Sequence, residues 1–192
     1  ELKVHYANRL HIFVYDTKTL NIAEGALAYE AKVLIEQGES FENVAKKLDD
    51  LRRRSEFLFT LSDLDYIIRN KKLSAPAAFV ANLFDIKPIM QINQIGEIVA
   101  VEKVRKLEKT LITMGKTVEK FAANQPAFIY LTDTGHHEST EFFKKILATH
   151  FGWHDLPVIR VSTISLANHG LMGTGIGVFY GELPHIVKAL KK

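Results

Sequence analysis

Leu64–Met90, LDYIIRNKKLSAPAAFVANLFDIKPIM, is the stretch whose reading decides the fold. Ser62-Asp-Leu-Asp65 has the shape of a capping box and opens a helix running through Ile68. Asn70-Lys71-Lys72 then makes a basic turn, and Leu73 follows it. Ser74-Ala-Pro76 opens a second helix, because proline is tolerated in a first turn, and Ala78, Phe79, Leu83 and Phe84 supply its apolar face. Pro88 biases Lys87 toward extended backbone. Ile89–Ile92 and Ile98–Val101 therefore read as a short hairpin around Asn93–Gly96.

Upstream, His11–Tyr15 (HIFVY) is an apolar run without polar alternation, the pattern of a strand covered on both faces in a parallel sheet. A polar connection, Asp16–Asn21, leads into helical spacing of Leu27, Ala31, Leu34 and Ile35, with Gly38 placed to end the helix. Ser40 caps a second helix whose inner face is Phe41, Val44, Leu48 and Leu51. Phe57–Leu61 is the next strand. Strand His11–Tyr15 lacks the parallel neighbours it needs, and the chain opens on Glu1 rather than Met, so a processed product or fragment is expected.

Downstream, Val104, Leu107, Leu111, Met114, Val118 and Phe121 predict a helix over Lys103–Ala122. Strand Ala127–Thr132, helix Ser139–Phe151, strands Leu156–Ser162 and Ile176–Tyr180, and a helix from Pro184 complete a mixed α/β order. No internal repeat stands out.

The 192 residues are 47% hydrophobic and 24% charged, an ordinary globular balance able to bury a core as one or two domains. A net charge of +3 with interspersed signs gives no electrostatic case for nucleic acid. The absence of cysteine removes disulfides, thiolate metal sites and thiol nucleophiles, and fits a reducing compartment. No apolar run spans a bilayer and no secretory pattern opens the chain, so a cytoplasmic protein is expected.

Gly170-Leu-Met-Gly173-Thr-Gly175-Ile-Gly177 is dense in glycine. It fails as a dinucleotide fingerprint because strand residues follow it rather than a helix, and it reads as a tight turn or a ligand-facing loop. His136 and His137 diverge as neighbours, Gly152 interrupts the spacing of His150 and His154, and no H-E-x-x-H pattern exists, so no metal centre is expected. No G-x-S-x-G elbow supports a serine hydrolase. His169 directly precedes the glycines, where imidazole and backbone can converge on one anionic group. A core or turn histidine is the plainer reading. The Arg52–Arg54 run is read as a solvated helix end and Asn70–Lys72 as a solvated turn.

Leu64-Asp65-Tyr66-Ile67 before the basic turn, Lys72-Leu73-Ser74, Asp85-Ile86-Lys87-Pro88-Ile89, Gly96-Glu97-Ile98 and Lys103-Val104-Arg105 together resemble the DegV family of bacterial fatty-acid-binding proteins. Asp16-Thr17, with Asn21 and Gly25, looks like that family's Asp-Ser strand end, Thr17 and Asn21 standing where serines are usual. The resemblance covers nearly the whole chain but matches only the later part of a family member. It implies a remnant of a parallel N-terminal α/β domain, its last strand and helices, over 1–54, and over 55–192 a C-terminal α/β lipid-binding domain with a mixed sheet and flanking helices.

By resemblance the protein binds a long-chain fatty acid, has no catalysis or cofactor of its own, and presents the acyl carboxylate to a separate fatty-acid kinase. The implied ligand-binding residues are His169, Gly170, Met172, Gly173, Phe84 and Ile86. His169 stands for the histidine of the family's His-x-Gly-Pro-Gly loop, although here the glycines are spaced differently and the proline is lacking. Lys72, in place of the arginine of a Gly-Gly-Arg turn, and Arg105 are the implied kinase contacts; lysine loses the bidentate fork. A carboxylate beside His169 favours the imidazolium and raises its pKa. Burial of ~14 methylenes at ~0.8 kcal/mol each gives on the order of 11 kcal/mol before ordering costs, so the tail dominates affinity. Two rivals stand beside this reading. One is an interaction module on the same scaffold without lipid, and the other an enzyme acting on a small anion at His169.

Overall fold

The computed structural model describes residues 2–74, 86–171 and 173–190. A seven-stranded mixed sheet organises it: β1 (Ser55–Leu61), β2 (Leu73–Ser74), β3 (Lys87–Ile92), β4 (Ile98–Val104), β5 (Ala127–Asp133), β6 (Val158–Arg160) and β7 (Gly173–Tyr180). They lie in the order β2-β4-β3-β1-β7-β5-β6. β1 pairs antiparallel with β3 and β7, β7 with β5, and β3 with β4, while β2–β4 and β5–β6 are parallel. Helices α1 (Leu2–His5), α2 (Asn21–Glu36), α3 (Phe41–Arg53), α4 (Asp65–Arg69), α5 (Leu107–Ala122), α6 (His137–Phe151), α7 (Thr163–His169) and α8 (Val187–Leu190) surround it.

Alternation along the strands splits the core into two layers. On one face, Leu58, Ile89, Leu131, Ile176 and Val178 meet Leu111, Met114 and Val118 of α5 and Phe143, Ile146 and Leu147 of α6. On the other, Phe128, Tyr130 and Phe179 meet Ala26, Leu27 and Leu34 of α2 and Val44, Leu48 and Leu51 of α3. Phe59, Leu61, Met90 and Ile98 close that second face against Ile67 of α4. Residues before and after position 54 therefore contribute to one core.

Most expected elements appear near their expected places. Ser40 caps α3, its hydroxyl accepting from the Asn43 N–H at 3.3 Å. Gly38, at φ +83°, follows the end of α2 and donates its N–H to Ile35 O. The 89–101 hairpin forms, with an irregularity between Ile89 and Met90.

Five expectations are corrected. His11–Tyr15 is not a strand: no ladder partner pairs with it among the described residues, and Val14 is 74% exposed. Instead it lies against α3, with Phe13 stacked on Phe41 and the Tyr15 hydroxyl donating to Asp49 at 2.8 Å. A strand needs a neighbour for its N–H and C=O groups, and here local side-chain contacts take over. The capping box at Ser62 does not form; Asp63 accepts the Asp65 N–H and the helix begins at Asp65 without a side-chain cap. Lys103 and Val104 end β4 rather than beginning α5.

The fourth correction concerns the glycines. The expected strand Ile176–Tyr180 starts earlier, at Gly173, so Gly173–Gly175 are not a loop but the first residues of β7, and Gly173–Gly177 are buried throughout. A Cβ at Gly175 would stand 2.6 Å from Thr132 Oγ1 and 2.8 Å from the Phe57 ring, and one at Gly177 would strike Tyr130. The glycines let large side chains of β1 and β5 lie over the middle of the sheet. Fifth, the expected strand 156–162 is only Val158–Arg160, and Thr163–His169 is a short helix that no sequence signal indicated. The helix expected from Ser74, with Phe84 on it, lies outside the described residues, as does Met172.

Candidate functional site

The C-terminal end of α7 brings His169 against the sheet. Gly170 follows at φ +96°, a conformation only glycine adopts without strain, and turns the chain toward β7 past the Tyr66 side chain. Together they border a narrow cleft, with about 30 Å³ of accessible space, open to solvent at one side. Phe57, Phe59 and Leu61 of β1, with Leu20 and Leu166, make it apolar; Thr132, Thr134, Ser165 and Asn21 make its polar rim. The cleft lies between α7, the start of α2 and strands β1, β5 and β7.

The rim is tightly organised. Asn21, at φ +55°, accepts from the Ser165 hydroxyl at 2.9 Å, joining the start of α2 to α7. Thr134 accepts from the Gly173 N–H at 3.1 Å, and its single hydroxyl proton lies within reach of the Gly173 and Leu171 backbone oxygens, fixing the start of β7. Asp133 accepts the Gly135 N–H at 2.8 Å and pairs with His137 at 2.6 Å just outside the cleft.

His169 is half-buried. Burial pushes its pKa down first, the nearby Lys72 ammonium pushes further, and a hydrogen bond to the Ser165 backbone opposes both. The imidazole is therefore held below the ordinary 6.5 and is neutral at pH 7. A donor already charged and waiting for an anion is not what this environment provides.

On its outer side His169 also borders a wide, shallow groove of about 510 Å³ with Lys71, Lys72, Asn168 and Glu97. The cleft and the groove share Leu20, Ser165 and His169. Of the residues expected at the site, His169 and Gly170 line the cleft and Lys72 the adjoining groove. Gly173 lies behind the wall, packed against Leu61. Ile86 precedes β3 and does not line the cleft among the described residues. Arg105 follows β4, whereas Lys72 sits beside that strand's start, where Leu73 pairs with Ile98. A seven-residue strand separates the two by roughly 20 Å. Sequence reasoning missed Thr132, Thr134 and Ser165 as rim residues, and met Asn21 only in the family's strand-end motif. The polar run Thr132-Asp-Thr134 at a strand end was the signal for the first two.

A family model described as "Uncharacterised protein, DegV family" matches residues 3–181. The chain belongs to the DegV family. A DegV domain-containing protein of Clostridium acetobutylicum is 28% identical over 140 residues, which cover 72% of this chain and 50% of that protein. Another, from Listeria monocytogenes, is 30% identical over 118 residues, 62% of this chain and 41% of its own length. The chain thus spans about half the length of the curated relatives it matches. Among solved structures, the fatty acid binding DegV family protein of Streptococcus agalactiae superposes with a TM-score of 0.82 at 24% identity, covering 95% of this chain and 64% of that one. A DegV family protein from Eubacterium eligens loaded with heptadecanoic acid gives 0.72 at 16% identity, covering 94% and 66%.

These likenesses fix the mixed sheet with flanking helices as the DegV fold. Among the described residues, no helix of this DegV chain is long and apolar enough to cross a membrane.

Proposed function

We propose that the chain binds a long-chain fatty acid in the cleft beside His169 and has no catalysis of its own. The observation that carries this reading is one imidazole at the junction of an apolar cleft and a solvent-facing groove. Such a junction suits an amphiphile, its tail against Phe57, Phe59 and Leu61 and its acid at the rim. Family members described as fatty acid binding share the fold. The head group would meet His169, Ser165 and Asn21, and the carboxylate would draw a proton onto the imidazole.

In the wider reading, the cytoplasmic protein presents that carboxylate to a separate fatty-acid kinase across the groove. Lys72 is then the nearer contact, and a kinase also touching Arg105 must span the length of β4. Residues 1–54 would be the closing part of an N-terminal domain and 55–192 the lipid-binding domain. Pull-down of such a kinase by the wild-type chain, weakened by Lys72→Glu, is expected; equal capture by both would remove Lys72 from the docking face.

An interaction module on the DegV scaffold draws its support from Phe57, whose ring stands across the interior beside Gly175. Native mass spectrometry after incubation with hexadecanoate separates the two. A 1:1 complex surviving dilution is expected, and the absence of any adduct decides for the module.

A further inference from the structure

The groove of about 510 Å³ outside His169 lies between α7, the turn after α4 and the tip of the β3–β4 hairpin. A carboxylate at His169 reaches only the margin that groove and cleft share. The rest of the groove, with Lys71 and Lys72 on its wall, is left for something else.

The turn holds two cations in fixed places. The Lys72 N–H donates to Ile67 O and the Lys71 N–H to Ile68 O, both at 2.9 Å, the pair of bonds that closes a helix through one left-handed residue. That residue is Lys71, at φ +52°, where glycine is the usual occupant and a side chain costs conformational energy. The Asn70 side chain donates to the Asn168 backbone oxygen at 3.1 Å and ties the turn to α7. Neither Lys71 nor Lys72 makes an ion pair among the described residues. Lys72 stands close enough to His169 for its ammonium to act on the imidazole. Glu97, the one carboxylate bordering the groove among the described residues, accepts from Asn93 Nδ2 at 3.3 Å.

We propose that this groove binds a phosphate monoester, its phosphate held between Lys71 and Lys72 and facing His169. A phosphate monoester carries close to two negative charges at pH 7 and three strong acceptor oxygens, so it accepts from both ammonium groups at once. Lysine meets it as a point charge, without the planar fork that a carboxylate favours. The phosphate also offsets the Lys72 charge that presses on the imidazole. The site does not depend on where an acyl tail runs. A soluble phosphate ester and the phosphate of a single-chain lipid head group present the same chemistry to it.

Calorimetric and phosphorus NMR titrations at about pH 7.5 compare glycerol 3-phosphate with glycerol, and 1-dodecanoyl-glycerol 3-phosphate with 1-dodecanoylglycerol, the lipids below their micelle-forming concentrations. The phosphate is expected to tighten binding about tenfold at low salt and less at high salt, where exposed charges are screened. An advantage in both pairs assigns the site to soluble esters, and one confined to the lipid pair assigns it to a head group. Lys72→Gln should bring the advantage to near one. Lys71→Gly should reduce it while raising the urea midpoint, because it removes an ammonium and relieves the left-handed turn. A folding defect then cannot explain the loss. No phosphate advantage in either pair, or an advantage unchanged in both variants, overturns the inference. Dodecanoate titrated alongside reports separately on the fatty-acid reading.

Discussion

His169 is the residue whose chemistry the structure changes most from expectation. Burial and Lys72 hold its pKa below 6.5, so above that pH the folded and unfolded chains both carry it neutral. As pH falls, the unfolded chain takes the proton first. The contribution to stability is thus retained above 6.5 and lost as pH falls from there through the lowered value. Binding runs the other way: an arriving carboxylate favours the imidazolium, so complex formation takes up a proton and affinity strengthens from pH 8 toward pH 6. Titrations in buffers of different ionisation heat should register that uptake in the wild type. His169→Asn should abolish it and weaken binding by about tenfold or more, the loss of one charged hydrogen bond. A pH-independent affinity in the wild type would remove His169 from the head-group site.

At the same scale, the β7 glycines make a packing prediction. Gly177→Ala places a methyl group into the Tyr130 ring and Gly175→Ala one against Thr132 and Phe57. Each should destabilise the fold by about 1–3 kcal/mol in urea unfolding, as overpacking does. Gly38→Ala, with no neighbour near its missing Cβ, should cost only the strain of its positive φ. Equal effects at Gly38 and Gly177 would contradict the close-packing account.

Among the elements, helices with a clean apolar stripe and an ordinary cap were legible in the sequence. α3 is one: Ser40, then Val44, Leu48 and Leu51, reads the same in sequence and structure. Ser40→Ala should cost about 1 kcal/mol of unfolding free energy, measured against Ser62→Ala, which caps nothing and should be near neutral. α5 was legible in its core turns but not at its start, because Lys103-Val104 carries both strand and helix patterns. α7 was invisible, since seven residues with Ser165 as the one buried position show no periodicity. The glycine strand was misread because composition favoured a loop; what makes it a strand is the bulk of Phe57, Tyr130 and Thr132 opposite, which lies elsewhere in the sequence. Thus the helices that build the core were readable, and the element that carries His169 was not.

Across the whole molecule, the mixed α/β class followed from element order, while the sheet order β2-β4-β3-β1-β7-β5-β6 depends on long-range pairings that periodicity does not encode. That order puts β1 and β7 at the centre, and with them the cleft beside His169. The site was legible as one histidine beside glycines; its polar rim, drawn from α2, β5 and α7, was not, because those residues meet only after folding. If the tail runs along β1, each added methylene should strengthen fatty-acid binding by ~0.8 kcal/mol until the cleft is filled, and longer chains should gain nothing.

The most direct test is photo-crosslinking of the chain with a hexadecanoic acid bearing a diazirine at mid-chain, followed by peptide mapping. The account predicts labels on β1 at Phe57 or Phe59 and on the 161–170 segment, competed away by unlabelled hexadecanoate. Labelling confined to exposed apolar residues such as Leu10 and Val14, or unaffected by competitor, would contradict it.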